Sequence, residues 1–340
     1  MNSPCIPDIG YLDSPEFLSL ASHLVTIIST PIHLIGTYCI IMKTPEQMKS
    51  AKYYLLNLHF WIIMFDYSFG ILTIPLVLFP VIGGHPLGVL RYLGVSTLFQ
   101  IVFICIAANN MLVSIVAIFE SRFNTLCTFH WMKYWRRIRT KWLVVYYFVT
   151  MIPFIMFLFL VPDQAAASHY IIEKLPCLPE YIYRADNLIL SINFSSHLII
   201  VTLIGIIAAS KVVFFGICLT WNIIQQLKAG TMSRKTYRMQ RKFFFALVIQ
   251  MQVPFITMAV PCIYGFISIV ALYYNQALTN VCVIACSMHG IISTLVMILI
   301  HRPYRESVMK VFKKPVTVLS KEVSKHTFPL KLNSLVPIRN

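Results

Sequence analysis

Seven long apolar runs follow one another along the 340 residues, at about 17–42, 53–82, 92–119, 142–161, 188–222, 243–272 and 280–300. A helix rises ~1.5 Å per residue, so ~20 apolar residues carry it across ~30 Å of hydrocarbon. Each run approaches or exceeds that length. The expected fold class is therefore all-α, an integral membrane bundle of seven transmembrane helices. Only 12% of the residues are charged and 58% are hydrophobic, whereas soluble domains carry ~25% charged residues. The runs and their connections use nearly the whole chain. Residues 1–312 thus read as one membrane domain, with a short amphipathic helix over 303–314 and a flexible basic tail over 315–340.

The net charge of +16 does not point to nucleic acid. Twenty-four of the 28 Lys and Arg lie in alternate gaps: 43–52, 120–141, 223–242 and the segment after 301. The N-terminal segment carries Asp8, Asp13 and Glu16 and no basic residue. Basic residues beside apolar spans set orientation and meet anionic lipid. The rule that positive loops stay inside places the N-terminus outside and the C-terminus in the cytoplasm. No basic region precedes the first run, which is long enough to remain as a span.

That orientation sorts the nine cysteines. Cys39, Cys105, Cys218, Cys262 and Cys286 fall within spans, Cys282 falls near the outer end of the seventh, and Cys127 faces the cytoplasm. Cys5 and Cys177 face the oxidising side, which makes them the candidate disulfide. Two free thiols, or Cys282 as a partner for one of them, are the alternatives.

Asp66 is the only acid within a span, and an intramembrane carboxylate is a functional candidate by default. It is expected to anchor a polar switch with Asn109, Asn110 and His289, with Ser287 and Ser293 also in reach. A sodium or proton site and a purely structural hydrogen-bonded Asp are the other readings. Lys211, inside the fifth run, is expected to snorkel towards the interface. Pro254 and Pro261 are expected to kink or loosen the sixth helix. The outer ends of the third, fifth, sixth and seventh runs supply Phe99, Gln100, Phe103, His197, Tyr264 and Phe266, a mixture suited to a small-molecule pocket and equally to ordinary packing. No metal-ligand spacing, paired acids or Ser–His arrangement accompanies them, so neither an enzyme nor a cofactor is expected.

On the basic side, Glu120 and Arg122 end the third run. A charge pair there can switch between two arrangements. The sixth helix is expected to begin near Ser233, presenting Arg234, Arg238 and Arg241. After the seventh run, Pro303 suits a first helical turn. Tyr304, Val308, Val311 and Phe312 share one face, with basic residues, Arg305 among them, between. That is the pattern of an interfacial helix on the inner leaflet.

Strings along the whole chain carry a resemblance: SPEFLSLASH (14–23), TPIHLIGTYCIIMKTPEQMKSAK (30–52), LLNLHFW (55–61) with Asp66, FESRF (119–123), LPCLP (175–179), RKTYRMQRKFFFALVIQMQVPF (234–255) and HGIISTLVMILIHRPYRE (289–306). The chain resembles nematode chemoreceptors of serpentine receptor class H, in the Str superfamily of seven-transmembrane G-protein-coupled receptors. The resemblance implies an extracellular small-molecule ligand and a heterotrimeric G protein (Gα) on the cytoplasmic face. It also implies a plasma-membrane location, including the ciliary membrane of chemosensory neurons. Glu120 and Arg122 stand at the family's acid–Arg motif, which more often reads Glu-Asn-Arg; here Ser121 intervenes. Pro303-Tyr304-Arg305 stands where rhodopsin-like receptors have Asn-Pro-x-x-Tyr and is a different motif. The competing functions are a non-signalling receptor homologue and, from a different class, a transporter or channel. An odd number of spans and the lack of an internal repeat weigh against the transporter.

Overall fold

Ser14 opens the first long helix as a short polar residue before an apolar run should. Its hydroxyl accepts the Phe17 N–H at 3.1 Å, and Pro15 fills the first position, where a missing N–H costs nothing. The computed structural model describes residues 10–46, 49–174, 181–182, 187–192, 195–230 and 233–310. The expected pair Cys5 and Cys177, and residues 311–340, lie outside them. In chain order the elements are α1 (Pro15–Lys43), α2 (Lys49–Tyr67) closing in a π-turn at Ser68–Leu72, β1 (Pro75–Val77), β2 (Ile82–Pro86) and α3 (Val89–Tyr92). Then come α4 (Thr97–Leu126), α5 (Met132–Met156), α6 (Gln164–Lys174), β3 (Leu188–Ser191), α7 (Ser195–Lys228), α8 (Arg234–Ala271), α9 (Gln276–Ser287) and α10 (His289–Ile300). A final helix, α11, covers 302–310.

Seven helical stretches are long and apolar enough to cross a membrane, α9 and α10 together making the seventh. α4 is the hub. Its most apolar stretch is 61% buried, against 17% for α5 and for α7, and it packs on α2, α5 and α7. α1 lies on α2, α9 and α10, while α8 lies on α9 and α10 and barely meets α7. One apolar core, with Leu55, Ile62, Phe119, Phe123, Phe215 and Met297, fills the half of the bundle nearer the basic connections. That end is called the basic end below. A smaller core, with Leu18, Ile74, Leu76, Ile189 and Val283, lies at the opposite end.

The opposite end departs from the expected spans. Residues 73–82 do not continue the second helix, and 188–191 do not begin the fifth. They form an antiparallel sheet in the order β1-β2-β3, with Leu76 opposite His85 and Gly83 opposite Ile189. A run of 30 apolar residues would make a helix of ~45 Å, well beyond the hydrocarbon thickness. The excess turns back as a hairpin instead. Gln164 holds β3 from the side, its Oε1 accepting the Ile189 N–H at 2.9 Å and its amide donating to the Ile189 carbonyl at 3.1 Å. Asp13 ties the N-terminal segment to α9, accepting the Ala277 N–H at 2.8 Å. Ser233 caps α8 as expected. α8 remains one helix through positions 254 and 261. The Lys211 ammonium sits over the Tyr146 ring, 3.6 Å from the centroid, a cation–π contact.

Candidate functional site

The structure places the sequence-derived candidates in three groups along the bundle. The middle group centres on Asp66, which is 2% exposed. One carboxylate oxygen lies 3.1 Å from His33 Nε2, and the other accepts the Gly290 N–H at 2.9 Å. The break at Met288 leaves the first N–H groups of α10 without carbonyls of their own helix, and Asp66 takes one of them. A helix N-terminus is a natural seat for a carboxylate. Gly290 permits the approach, because a β-carbon there would collide with the Asp66 carboxylate. His33 continues the chain. Its Nδ1 lies 3.2 Å from Thr294 Oγ1, and its backbone carbonyl lies 3.2 Å from His59 Nε2. Three helices are thereby joined through one carboxylate.

The partners expected for Asp66 lie elsewhere. His289 Nδ1 meets Thr257 Oγ1 at 3.0 Å, and its Nε2 faces the Met111 sulfur at 3.2 Å, joining α10 to α8 and α4. Asn109 donates to Thr150 of α5 at 3.1 Å. Asn110 is wholly buried, and both polar atoms of its side chain lack a hydrogen-bond partner among the described residues. The true partner, His33, was readable as a polar residue midway along the first span. Its contact with Asp66 joins two helices across 33 residues of chain, which spacing along either span does not show. The space between α2, α4, α8 and α10 on the basic side of this network, lined by Ile62, Met111, Leu247 and Ser293, has a void of about 10 Å³. That is at or below what a single water requires.

The second group is at the basic end. Glu120 is fully buried and pairs with Arg139 of α5, not with Arg122. Arg139 Nε and Nη2 donate to its two oxygens at 2.9 and 2.8 Å, and Trp135 Nε1 donates at 2.9 Å. Arg139 also reaches the Tyr54 hydroxyl at 2.8 Å, bringing in α2. Arg122, 3% exposed, points to the other side of α4, within electrostatic reach of Tyr304 and His301. Burial, then the Arg122 charge, pushes the His301 imidazole down to about 4. Tyr304 is 0% exposed, and its hydroxyl lies 2.8 Å from Thr44 Oγ1 at the end of α1. Burial raises its phenol, against the opposing pull of that hydrogen bond and of Arg122. Tyr304 is thus a buried plug and not part of a lipid-facing stripe, while Val308 packs against the same core. Arg305 donates to the Leu299 carbonyl at 2.9 Å. Arg234, Arg238 and Arg241 are exposed on α8.

The third group lies at the sheet-covered end, and the structure does not gather its members into one lining. Phe99 and Phe266 are 63% and 47% exposed on the bundle's outer surface. Tyr264 donates to the Asn275 carbonyl at 3.0 Å, bracing the turn between α8 and α9. Phe103 is half-buried. Gln100 and His197 are buried, and Gln100 Oε1 and both ring nitrogens of His197 lack a hydrogen-bond partner among the described residues; the His197 ring lies tilted by 40° to that of Phe157, with centroids 4.6 Å apart. Among the described residues no cluster of His, Cys, Asp or Glu could hold a metal ion, and the seven cysteines are free thiols.

The chain is similar to known proteins along most of its length. Residues 13–314 match the family profile described as "Serpentine type 7TM GPCR chemoreceptor Srh". It is 27% identical over 312 residues to "Serpentine receptor class H-72" of Caenorhabditis elegans, covering 91% of this chain and 90% of that one. The fold is similar to the crystal structure of squid rhodopsin, with a TM-score of 0.52 over 93% of each chain at 12% identity.

Proposed function

The chain belongs to the Srh family of serpentine seven-transmembrane chemoreceptors, and from that premise we propose that it is a chemosensory receptor coupled to a heterotrimeric G protein. A small molecule binds from the outside, and the basic end faces the cytoplasm and engages Gα. The observation that carries this reading is Arg122, an arginine buried at the mouth of the basic end beneath Tyr304. Burying a guanidinium is expensive. A Gα partner reaches Arg122 only in a second arrangement of α4, α10 and α11 that uncovers it, which makes the end a two-state element. Exposed Arg234 and Arg238 border the same end and complement an acidic partner surface.

Gln100 and His197 supply the ligand contacts in this reading. Their buried unmet atoms are hydrogen-bonding capacity that a small molecule completes, since orphaned buried polar atoms cost about 1–3 kcal/mol each. Ligand binding below the sheet shifts the population of the basic-end arrangements through the Asp66–His33–Gly290 joint. The test is Gα nucleotide exchange with purified receptor in nanodiscs across a panel of volatile and water-soluble odorants. Ligand-dependent exchange that Arg122→Ala abolishes and His197→Ala right-shifts is expected. Exchange unchanged by Arg122→Ala refutes the switch assignment. A surface-expressed receptor silent across the panel and across Gα classes favours a non-signalling homologue.

A further inference from the structure

Little of α7 touches α8, and a gap opens between them beside Phe119 of α4. The gap is an open groove of about 440 Å³, within the ~300–1,000 Å³ range of small-molecule sites. Val212, Gly216, Thr220 and Ile224 form one wall, Phe244, Val248 and Met251 the other, and Phe119 of α4 the floor. The lining is apolar. The one hydroxyl, Thr220 Oγ1, is spent on the Gly216 carbonyl at 2.8 Å. The lips, Val213, Ile217 and Trp221, are 57–64% exposed. Both walls belong to membrane-spanning helices, so the groove opens onto hydrocarbon and not onto water.

Helical periodicity extends both walls towards the basic end. Lys228 follows Ile224 by four residues and Arg241 precedes Phe244 by three, so each continues its wall's face. Both are exposed. An apolar slot therefore ends between two cations at the level where lipid headgroups begin.

We propose that this groove is a site for one anionic phospholipid, with an acyl chain inserted between α7 and α8 and its phosphate held by Lys228 and Arg241. The slot's shape takes a linear chain, and the two cations select the headgroup. The occupant reaches Phe119, the residue before Glu120, so it props apart the two helices beside the basic-end pair. The site stands on the fold and the membrane setting alone. Its test needs no G protein, so its failure and the failure of coupling are separate results.

The experiment uses the full chain in phosphatidylcholine nanodiscs doped with either phosphatidylserine or phosphatidylcholine, each bearing a diazirine on one acyl chain. After photolysis, labelled peptides are mapped by mass spectrometry. Phosphatidylserine is expected to label 212–224 and 244–251 preferentially. A basic residue at an anionic surface contributes ~1 kcal/mol, or about fivefold in occupancy. Lys228→Gln with Arg241→Gln should therefore cut that labelling at least fivefold while labelling of α1 stays constant. Gly216→Leu, which fills the slot, should remove it for either lipid. Equal labelling by the two lipids, labelling that survives Gly216→Leu, or preferential capture of a photoreactive sterol at these peptides overturns the proposal. The Lys228 and Arg241 variants change exposed side chains only, so misfolding does not obscure the result.

Discussion

Glu120 offers the sharpest test of how the basic end is held. Its carboxylate is fully buried and receives three donors, two from Arg139 and one from Trp135. Arg139 is 19% exposed. Removing one member of a buried pair leaves the other uncompensated, at a cost of about 3–5 kcal/mol. The two single variants should not be equal. Arg139→Met strands a carboxylate with no exposure and belongs near the upper limit. Glu120→Leu strands a guanidinium that can turn towards solvent and keep Tyr54, so it belongs near the lower limit. The double variant removes both charges; it leaves the Trp135 N–H unmet, about 1–3 kcal/mol, and the half-buried Tyr54 hydroxyl without the donor that Arg139→Met also removes. It should therefore be more stable than Arg139→Met. The measurement is denaturant-dependent thiol labelling in mixed micelles, reading Cys39 and Cys127, which are both 0% exposed in the fold. If the double variant loses the sum of the two single losses, the pair is not coupled and the reasoning fails.

Three further outcomes follow from the same geometry. Gly290→Ala drives a β-carbon into the Asp66 carboxylate and should cost about 1–3 kcal/mol as overpacking, read as a lower melting temperature; an unchanged melt contradicts the Asp66–Gly290 contact. Tyr304→Phe removes the hydroxyl facing Thr44 and should cost about 0.5–1.5 kcal/mol while raising ligand-free Gα exchange. Lower basal exchange would contradict the plug. His301, held down at about 4 in the fold against an ordinary 6.5, binds its proton more readily when unfolded. Its contribution is complete above pH 6.5 and is lost as pH falls towards 4, at ~1.36 kcal/mol per unit. Between pH 7 and 5 wild type should lose about 2 kcal/mol more than His301→Gln, and parallel pH profiles would refute the assignment.

The spans were legible because the bilayer imposes a length that apolar runs must meet, and Ser14, Ser96 and Ser233 cap helices as short polar residues do. The hairpin was hidden because β1 and its neighbours are as apolar as the helix they follow. The excess length of the second run, with Pro75, Pro80 and the Gly83-Gly84 pair, was the available signal. The break at Met288 left no Gly or Pro mark at its own position. Side-chain pairing was less legible than placement. Arg122 was two residues from Glu120 and so invited pairing, yet positions two apart point to different sides of a helix. Arg139 came from another helix, which spacing along α4 cannot reveal. His33 met Asp66 for the same reason, across 33 residues of chain.

The three-stranded sheet has a consequence for how such a receptor can change over generations. Its two long connections are stitched by main-chain hydrogen bonds, which any residue other than proline can supply. Side chains on the strands can therefore drift, altering what the cover presents to arriving molecules, without unfastening it. The exceptions are Gly83 and Gly84, where a β-carbon would strike the Leu188 and Leu76 carbonyl oxygens. On the proposed function, selection for a new ligand can act on the remainder of the cover while these two positions stay fixed.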